Sequence, residues 1–191
     1  MKEQKEILKL LADNRILYVL IGGYAMRIYN SPRITHDVDL AIRTLDVDAI
    51  IDILYGHKFF LAYDAGEDGV LVKKNPGEAK DWVENSKSGS MSFIKIVCEI
   101  TDNCVFYKDI DPNSQIDFLF ELSVPILRLK ERAVLHHYED LDLNVVSMED
   151  LLTLKKDRKN KSASDIADIE FLEALLKGKG GSLGEIAKKD C

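Results

Sequence analysis

The run Leu17-Tyr18-Val19-Leu20-Ile21, closed at once by Gly22-Gly23, constrains this chain more than any other segment. It is too short for a core helix and does not alternate with polar residues, so it predicts a strand buried on both faces. The glycine pair predicts a turn, and a helix is expected from about Tyr24 to Tyr29, stopping before Pro32. Asp37-Val38-Asp39-Leu40-Ala41-Ile42 alternates in polarity and predicts a second strand.

Further elements follow from periodicity. Residues 3–14 carry an apolar stripe at Ile7, Leu8, Leu11 and Ala12, which predicts an amphipathic helix. A helix is expected over 47–55, ended by Gly56, and strands over 59–63, 70–73, 93–100, 104–107 and 115–122, with a hairpin turn at Thr101-Asp102-Asn103. Residues 75–90 are polar and predict a surface loop with one helical turn around Trp82. Pro125 opens a stretch of helical spacing through Leu135, and 143–146 predicts a short strand. Ser147 is expected to cap a helix, with Asp150 completing a variant capping box. A last amphipathic helix is predicted over 165–176, with Ile166, Ile169, Leu172 and Leu176 on one side.

The expected class is α+β (mixed α/β), a mixed sheet flanked by helices with a C-terminal helical part. Residues 1–124 form the expected sheet-bearing core, 125–177 a helical region packed on it, and 178–191 a flexible tail introduced by Gly178-Lys179-Gly180-Gly181-Ser182.

Composition excludes several function classes. The chain of 191 residues is 46% hydrophobic and 31% charged, an ordinary globular balance. No apolar run approaches the ~18 residues of a membrane span or forms a signal-peptide core, so a cytoplasmic location and no membrane partner are expected. The net charge of −7 argues against non-specific nucleic-acid binding over a broad face, while leaving room for a local basic groove. The three cysteines have no metal-binding spacing; free thiols are expected, although Cys98 and Cys104 could meet on neighbouring strands.

Chemistry concentrates at three places. Asp37 and Asp39 project from one side of their strand, with Val38, Leu40 and Ile42 on the other; a solvated strand face would give the same pattern. Gly22-Gly23 would let backbone approach a phosphate at the start of a helix, although a plain tight turn accounts for it equally. Asp117, between Ile116 and Phe118, requires a compensating cation or metal if buried, and exposure or a salt bridge would also serve. Asp109 or Asp111 would replace it under a shifted register. As one device, carboxylates holding Mg²⁺ beside a phosphate-cradling turn would activate an attacking oxygen and stabilise a leaving pyrophosphate.

The segment Ile21-Gly22-Gly23-Tyr24-Ala25 with Arg33-Ile34-Thr35-His36-Asp37-Val38-Asp39-Leu40 resembles the signature of the DNA polymerase beta-like nucleotidyltransferase superfamily. That signature is a hydrophobic residue, a Gly-Gly or Gly-Ser pair, a spacer and Asp-x-Asp or Asp-x-Glu. Its details look most like AbiEii-type and related minimal prokaryotic members. Ser147–Lys155 and Asp165-Ile166-Ala167-Asp168-Ile169 resemble the helical region of the same group, so the likeness spans roughly residues 15–176. It implies transfer of a nucleoside monophosphate from an NTP to an acceptor hydroxyl, with Mg²⁺ or Mn²⁺ as cofactor. The catalytic and metal-holding residues would be Asp37, Asp39 and Asp117, with Asp117 able to take the acceptor's proton. Gly22 and Gly23 would hold the triphosphate. The acceptor would be a protein, an RNA or a small molecule such as an aminoglycoside or lincosamide, and a partner protein in a toxin–antitoxin pair is a further expectation.

Arg33 and Thr35, with His36, could contact nucleotide from the loop before the acidic strand, or belong to an ordinary loop. Lys155, Lys156, Arg158, Lys159 and Lys161 form a basic run, read either as a solvated helix face or as a phosphate grip led by Lys155. His136-His137, taken as helical, point about 100° apart and do not chelate one ion. Tyr24 stands where many catalytic members carry Ser, so a nucleotidyltransferase-fold module that binds nucleotide or a partner without turnover is the alternative reading.

Overall fold

The computed structural model describes residues 2–66, 69–96, 106–107 and 115–186. The expected hairpin at 101–103, Cys98, Cys104, Asp109, Asp111 and Cys191 lie outside them.

The buried run forms strand β1 (Tyr18–Ile21), all four residues of which are buried. It follows helix α1 (Lys2–Asp13), whose Ile7, Leu8 and Leu11 enter the core. Helix α2 (Gly22–Ile28) starts directly on the glycine pair, and strand β2 (Val38–Ile42) runs back antiparallel to β1. Helix α3 (Val47–Gly56), a hairpin of β3 (Phe59–Gly66) and β4 (Gly69–Val72), helix α4 (Pro76–Ser86), β5 (Ser90–Lys95), β6 (Phe106–Tyr107) and β7 (Ile116–Leu119) follow. After α5 (Ile126–Glu131) come β8 (Val134–Tyr138), β9 (Leu141–Val145), α6 (Met148–Asp157) and α7 (Ala163–Ile186). The nine strands among the described residues form one mixed sheet in the order β6-β4-β3-β5-β7-β2-β1-β9-β8. The mixed α/β class expected from the sequence is therefore the observed one. Among the described residues no helix is long and apolar enough to cross a membrane.

Register sorts the two faces of this sheet. Leu20, Leu40, Phe118 and Met91 lie opposite one another across four strands, and all are buried. Phe93 meets Phe118 edge-to-face at 5.9 Å and Tyr55 of α3 at 6.2 Å. One residue along, the same strands contribute Ile21, Asp39, Asp117 and Ser92 to the other face, and Ala62 of β3 extends this unbroken cross-strand row.

Several elements differ from the sequence expectations, each for a local reason. The polar stretch 75–90 contains helix α4 because Asn75 accepts the Glu78 N–H at 3.0 Å while its amide donates to Glu78 Oε1 at 2.8 Å, with Pro76 in the first turn. Trp82 lies on this helix, its ring 6.4 Å from that of Tyr63. Helical spacing after Pro125 stops at Glu131, and Val134–Tyr138 is an edge strand paired with β9. His136 and His137 are thus on a strand and face opposite sides. Residues after 124 supply two strands as well as helices, β9 pairing in parallel with β1. Helix α7 continues to Ile186 through the glycine-rich stretch that composition reads as a linker; glycine lowers helix propensity without forbidding a helix. The Ser147 cap is as expected, its hydroxyl accepting the Asp150 N–H at 3.2 Å.

Removing the α4 cap isolates its contribution. Asn75→Ala should cost about 1 kcal/mol, read as a lower urea midpoint at unchanged slope; an unchanged midpoint would show that α4 is held by packing alone.

Candidate active site

Three chain segments converge on the polar face. Asp39 on β2 and Asp117 on the parallel strand β7 are register partners, and Asp37 immediately precedes β2. One carboxylate oxygen from each of Asp37, Asp39 and Asp117 lies within 4.8 Å of the others. All three residues are half-buried.

The glycine turn abuts this group. Gly22 has φ +63°, a left-handed conformation that side chains rarely adopt, and a Cβ there would sit 1.8 Å from Asp39 Oδ2. The Gly23 N–H donates to that same oxygen at 3.3 Å. A Cβ on Gly23 would meet Thr35 Oγ1 at 2.5 Å. Thr35 is buried and its hydroxyl donates to Asp37 Oδ1 at 2.7 Å. Glycine at both positions is therefore a condition for seating Asp39 and Thr35, beyond the needs of a turn.

Three like charges in a partly desolvated site repel. Burial pushes the Asp39 carboxyl up to about 6, aided by the charges of Asp117 and Asp37 and opposed by the Gly23 N–H and Arg158. Burial also raises Asp117, against hydrogen bonds from Ser92 and Gln115. Gln115 Nε2 donates to both Asp117 oxygens, at 3.1 and 3.2 Å. An all-oxygen donor set with unneutralised negative charge matches a hard divalent cation.

Sequence reasoning missed the supporting residues. Gln115 could have been found, since alternation puts it on the face of Asp117. Ser92 becomes visible only through the long-range pairing of β5 with β7. Gln4 of α1 is buried and reaches from outside the sheet: its Nε2 donates to the carbonyls of His36 at 2.8 Å and Gln115 at 3.5 Å, just before Asp37 and Asp117.

The cations are distributed unevenly. A cleft of about 250 Å³ borders Gly22 on this face, walled by Ile21, Leu119, Leu154, Lys155 and Arg158. Lys155 lines it, yet its ammonium is buried between Asp168 at 2.7 Å and Asp165 at 3.2 Å. Arg158 is the more exposed, 46% against 3% by side chain, and donates to Asp165 at 3.0 Å. Arg33 does not line the cleft and pairs with Asp168 at 2.6 Å. The inward side of α7 is accordingly Asp165, Asp168 and Leu172, while Ile166, expected inward, is half exposed; the two acids are tolerated because cations from α6 and the loop meet them. Burial alone would raise Asp165, but hydrogen bonds from Ser162 and Lys155 and the charge of Arg158 hold it at about 2.

No protein-family model and no curated protein sequence matches the chain. Among solved structures it is similar to the lincosamide antibiotic adenylyltransferase LnuA in its lincomycin-bound form, at 13% identity and TM-score 0.55, covering 91% of this chain and 96% of that one. A second similar structure is ANT(2")-Ia with adenylyl-2"-tobramycin, at 11% identity, covering 95% and 91% of the two chains, with TM-score 0.47. The first likeness establishes a nucleotidyltransferase fold.

Substitutions at two positions probe the geometry without any ligand. Gly22→Ala should destabilise the chain by at least about 2 kcal/mol, and a second change, Asp39→Gly, should recover part of that loss by removing the clash. Asp39→Asn should do the opposite. A carboxyl raised from 3.8 to about 6 by folding weakens the fold as it ionises, an effect absent below pH 3.8 and complete above pH 6. In EDTA at pH 8 the variant should gain about 1–3 kcal/mol in thermal unfolding, a gain that fades towards pH 4. Equal stability at both pH values would show that the carboxylates are relieved in some other way.

Proposed function

We propose that this protein is a divalent-metal-dependent nucleotidyltransferase that moves a nucleoside monophosphate from an NTP to an acceptor hydroxyl. The observation that carries this reading is the row Ile21–Asp39–Asp117, which with Asp37 just before β2 sets three clustered carboxylates against the Gly22-Gly23 turn. Asp37, Asp39 and Asp117 would hold Mg²⁺ or Mn²⁺, which when bound neutralises phosphate charge at the reacting centre. The residues of this chain then have separable tasks. The glycine turn gives the polyphosphate a wall without side chains. Thr35 and Gln115 fix the rotamers of Asp37 and Asp117. The Asp117 carboxylate takes the proton of the acceptor hydroxyl as its oxygen bonds to the α-phosphorus. The bond from that phosphorus to the β-phosphate oxygen breaks, and pyrophosphate leaves. Arg158, at the rim of the adjoining cleft, supplies positive charge on the side of the leaving group.

The acceptor is the finer question. A small molecule is the first class to test, starting with a lincosamide, because the structure that shares this fold at TM-score 0.55 is lincomycin-bound. An RNA or protein acceptor would fit the AbiEii-type likeness of residues 21–40 and a toxin–antitoxin role, in which expression arrests growth and Asp39→Ala relieves the arrest.

One observation favours a binding module without turnover. Tyr24 follows the glycines, and its hydroxyl pairs with Gln4 Oε1 at 3.5 Å, so the residue after the glycine pair offers no short hydroxyl to a phosphate. Pyrophosphate release separates the two readings. With Mg²⁺, each NTP in turn and an acceptor panel, wild type should turn over, EDTA should stop it, and Asp37→Ala or Asp39→Ala should lower kcat by about 10³-fold with the fold intact. Nucleotide binding without pyrophosphate release across the panel would favour the module.

A further inference from the structure

A chain of alternating charge, buried at its centre, links the C-terminal helices to the 31–37 loop: Arg158, Asp165, Lys155, Asp168 and Arg33. The side chains of Lys155, Asp165 and Asp168 are each no more than 4% exposed. A buried pair of this kind is weak grounds for stability, since its desolvation cost rivals its attraction, but it fixes geometry strongly, because each of these three left alone would be an unpaired buried charge. Four members belong to α6, α7 and the short connection between them. Arg33 is the exception. It sits in residues 31–37, which join α2 to β2 with no regular secondary structure. Its Nη1 shares Asp168 Oδ2 with the Lys155 ammonium, at 2.6 and 2.7 Å. Ser31, Pro32 and Arg33 also line a groove against Ser164, Asp168 and Phe171 of α7. Two residues beyond Arg33, Thr35 packs over Gly23 and donates to Asp37, and one further on the His36 carbonyl accepts from Gln4.

We propose that the Arg33–Asp168–Lys155 chain is a positioning device that anchors the 31–37 loop on α7 and so places Asp37 in the carboxylate triad. Arg33 and Lys155 are then positioning residues and make no contact with nucleotide. The loop is pinned at three points on three elements: Arg33 on α7, Thr35 on the glycine turn and His36 on α1. Asp37, the one member of the triad outside a strand, takes its position from those pins. Asp39 and Asp117 are fixed by the sheet and do not depend on them. The proposal rests on the metal-binding reading of the triad.

The test uses the full chain and Mn²⁺ alone as ligand. Arg33→Met, at the partly exposed end of the chain of charges, keeps the core ions Lys155 and Asp168 paired with each other and should fold. It should weaken Mn²⁺ affinity about tenfold in calorimetric titration and accelerate amide hydrogen exchange in residues 34–37, leaving exchange in β2 and β7 unchanged. Asp168→Asn should weaken Mn²⁺ binding similarly, the double variant should be no worse than the weaker single, and Arg33→Lys should restore part of the affinity. Affinity within twofold of wild type in folded Arg33→Met, or a raised KM for NTP with unchanged Mn²⁺ affinity, would overturn the proposal, the latter by making Arg33 a nucleotide contact. If wild type binds no Mn²⁺, the metal reading fails by itself, and hydrogen exchange decides the anchor: faster exchange in 34–37 upholds it and unchanged exchange overturns it.

Discussion

Parallel pairing of β2 with β7 puts the Asp39 carboxylate beside that of Asp117, and the rest of the polar face is arranged around the resulting repulsion. Neither strand can slide to relieve it. A one-residue slip would carry Leu40 and Phe118 out of the core and both acids into it. The apolar face therefore enforces what the polar face resists. Register, set by burial of large side chains, is the physical origin of the site.

The surrounding residues temper the cost in different ways. Gly23 and Gln115 donate hydrogen bonds to two of the carboxylates, and Thr35 to the third. Gly22 removes a side chain from the space that Asp39 fills. Arg158 stands near enough for its charge to ease Asp39, but it is itself tied to Asp165. What remains is a concentration of negative charge that a divalent cation would satisfy and that no described cation neutralises by direct pairing.

Much of this was legible in the sequence because it was local. The apolar run before the glycines, the alternation of 37–42 and the isolated acid at 117 each carry their meaning within a few residues, and the strands and the grouping of the acids agree with it. What depended on distant partners was not legible. Helix α4 was hidden by polar composition, its start being set by one Asn–Glu exchange of hydrogen bonds. The inward side of α7 could not be read from hydrophobicity, because Asp165 and Asp168 are buried against cations seven or more positions away, while Ile166 faces out. The pairing of Lys155 with Asp165 and Asp168 was hidden for the same reason: a sequence shows a charge but not its counter-ion.

Gln4 lends the first helix a significance that its place at the margin of the sheet conceals. Its single amide bridges the entrances of β2 and β7, two strands brought together from positions far apart in the chain, and does so from a helix that belongs to neither. The amino-terminal segment thus acts as a keystone for the acidic face: trimming it, or fusing a bulky sequence that tilts it, would be felt at the carboxylates before it was felt in the hydrophobic interior.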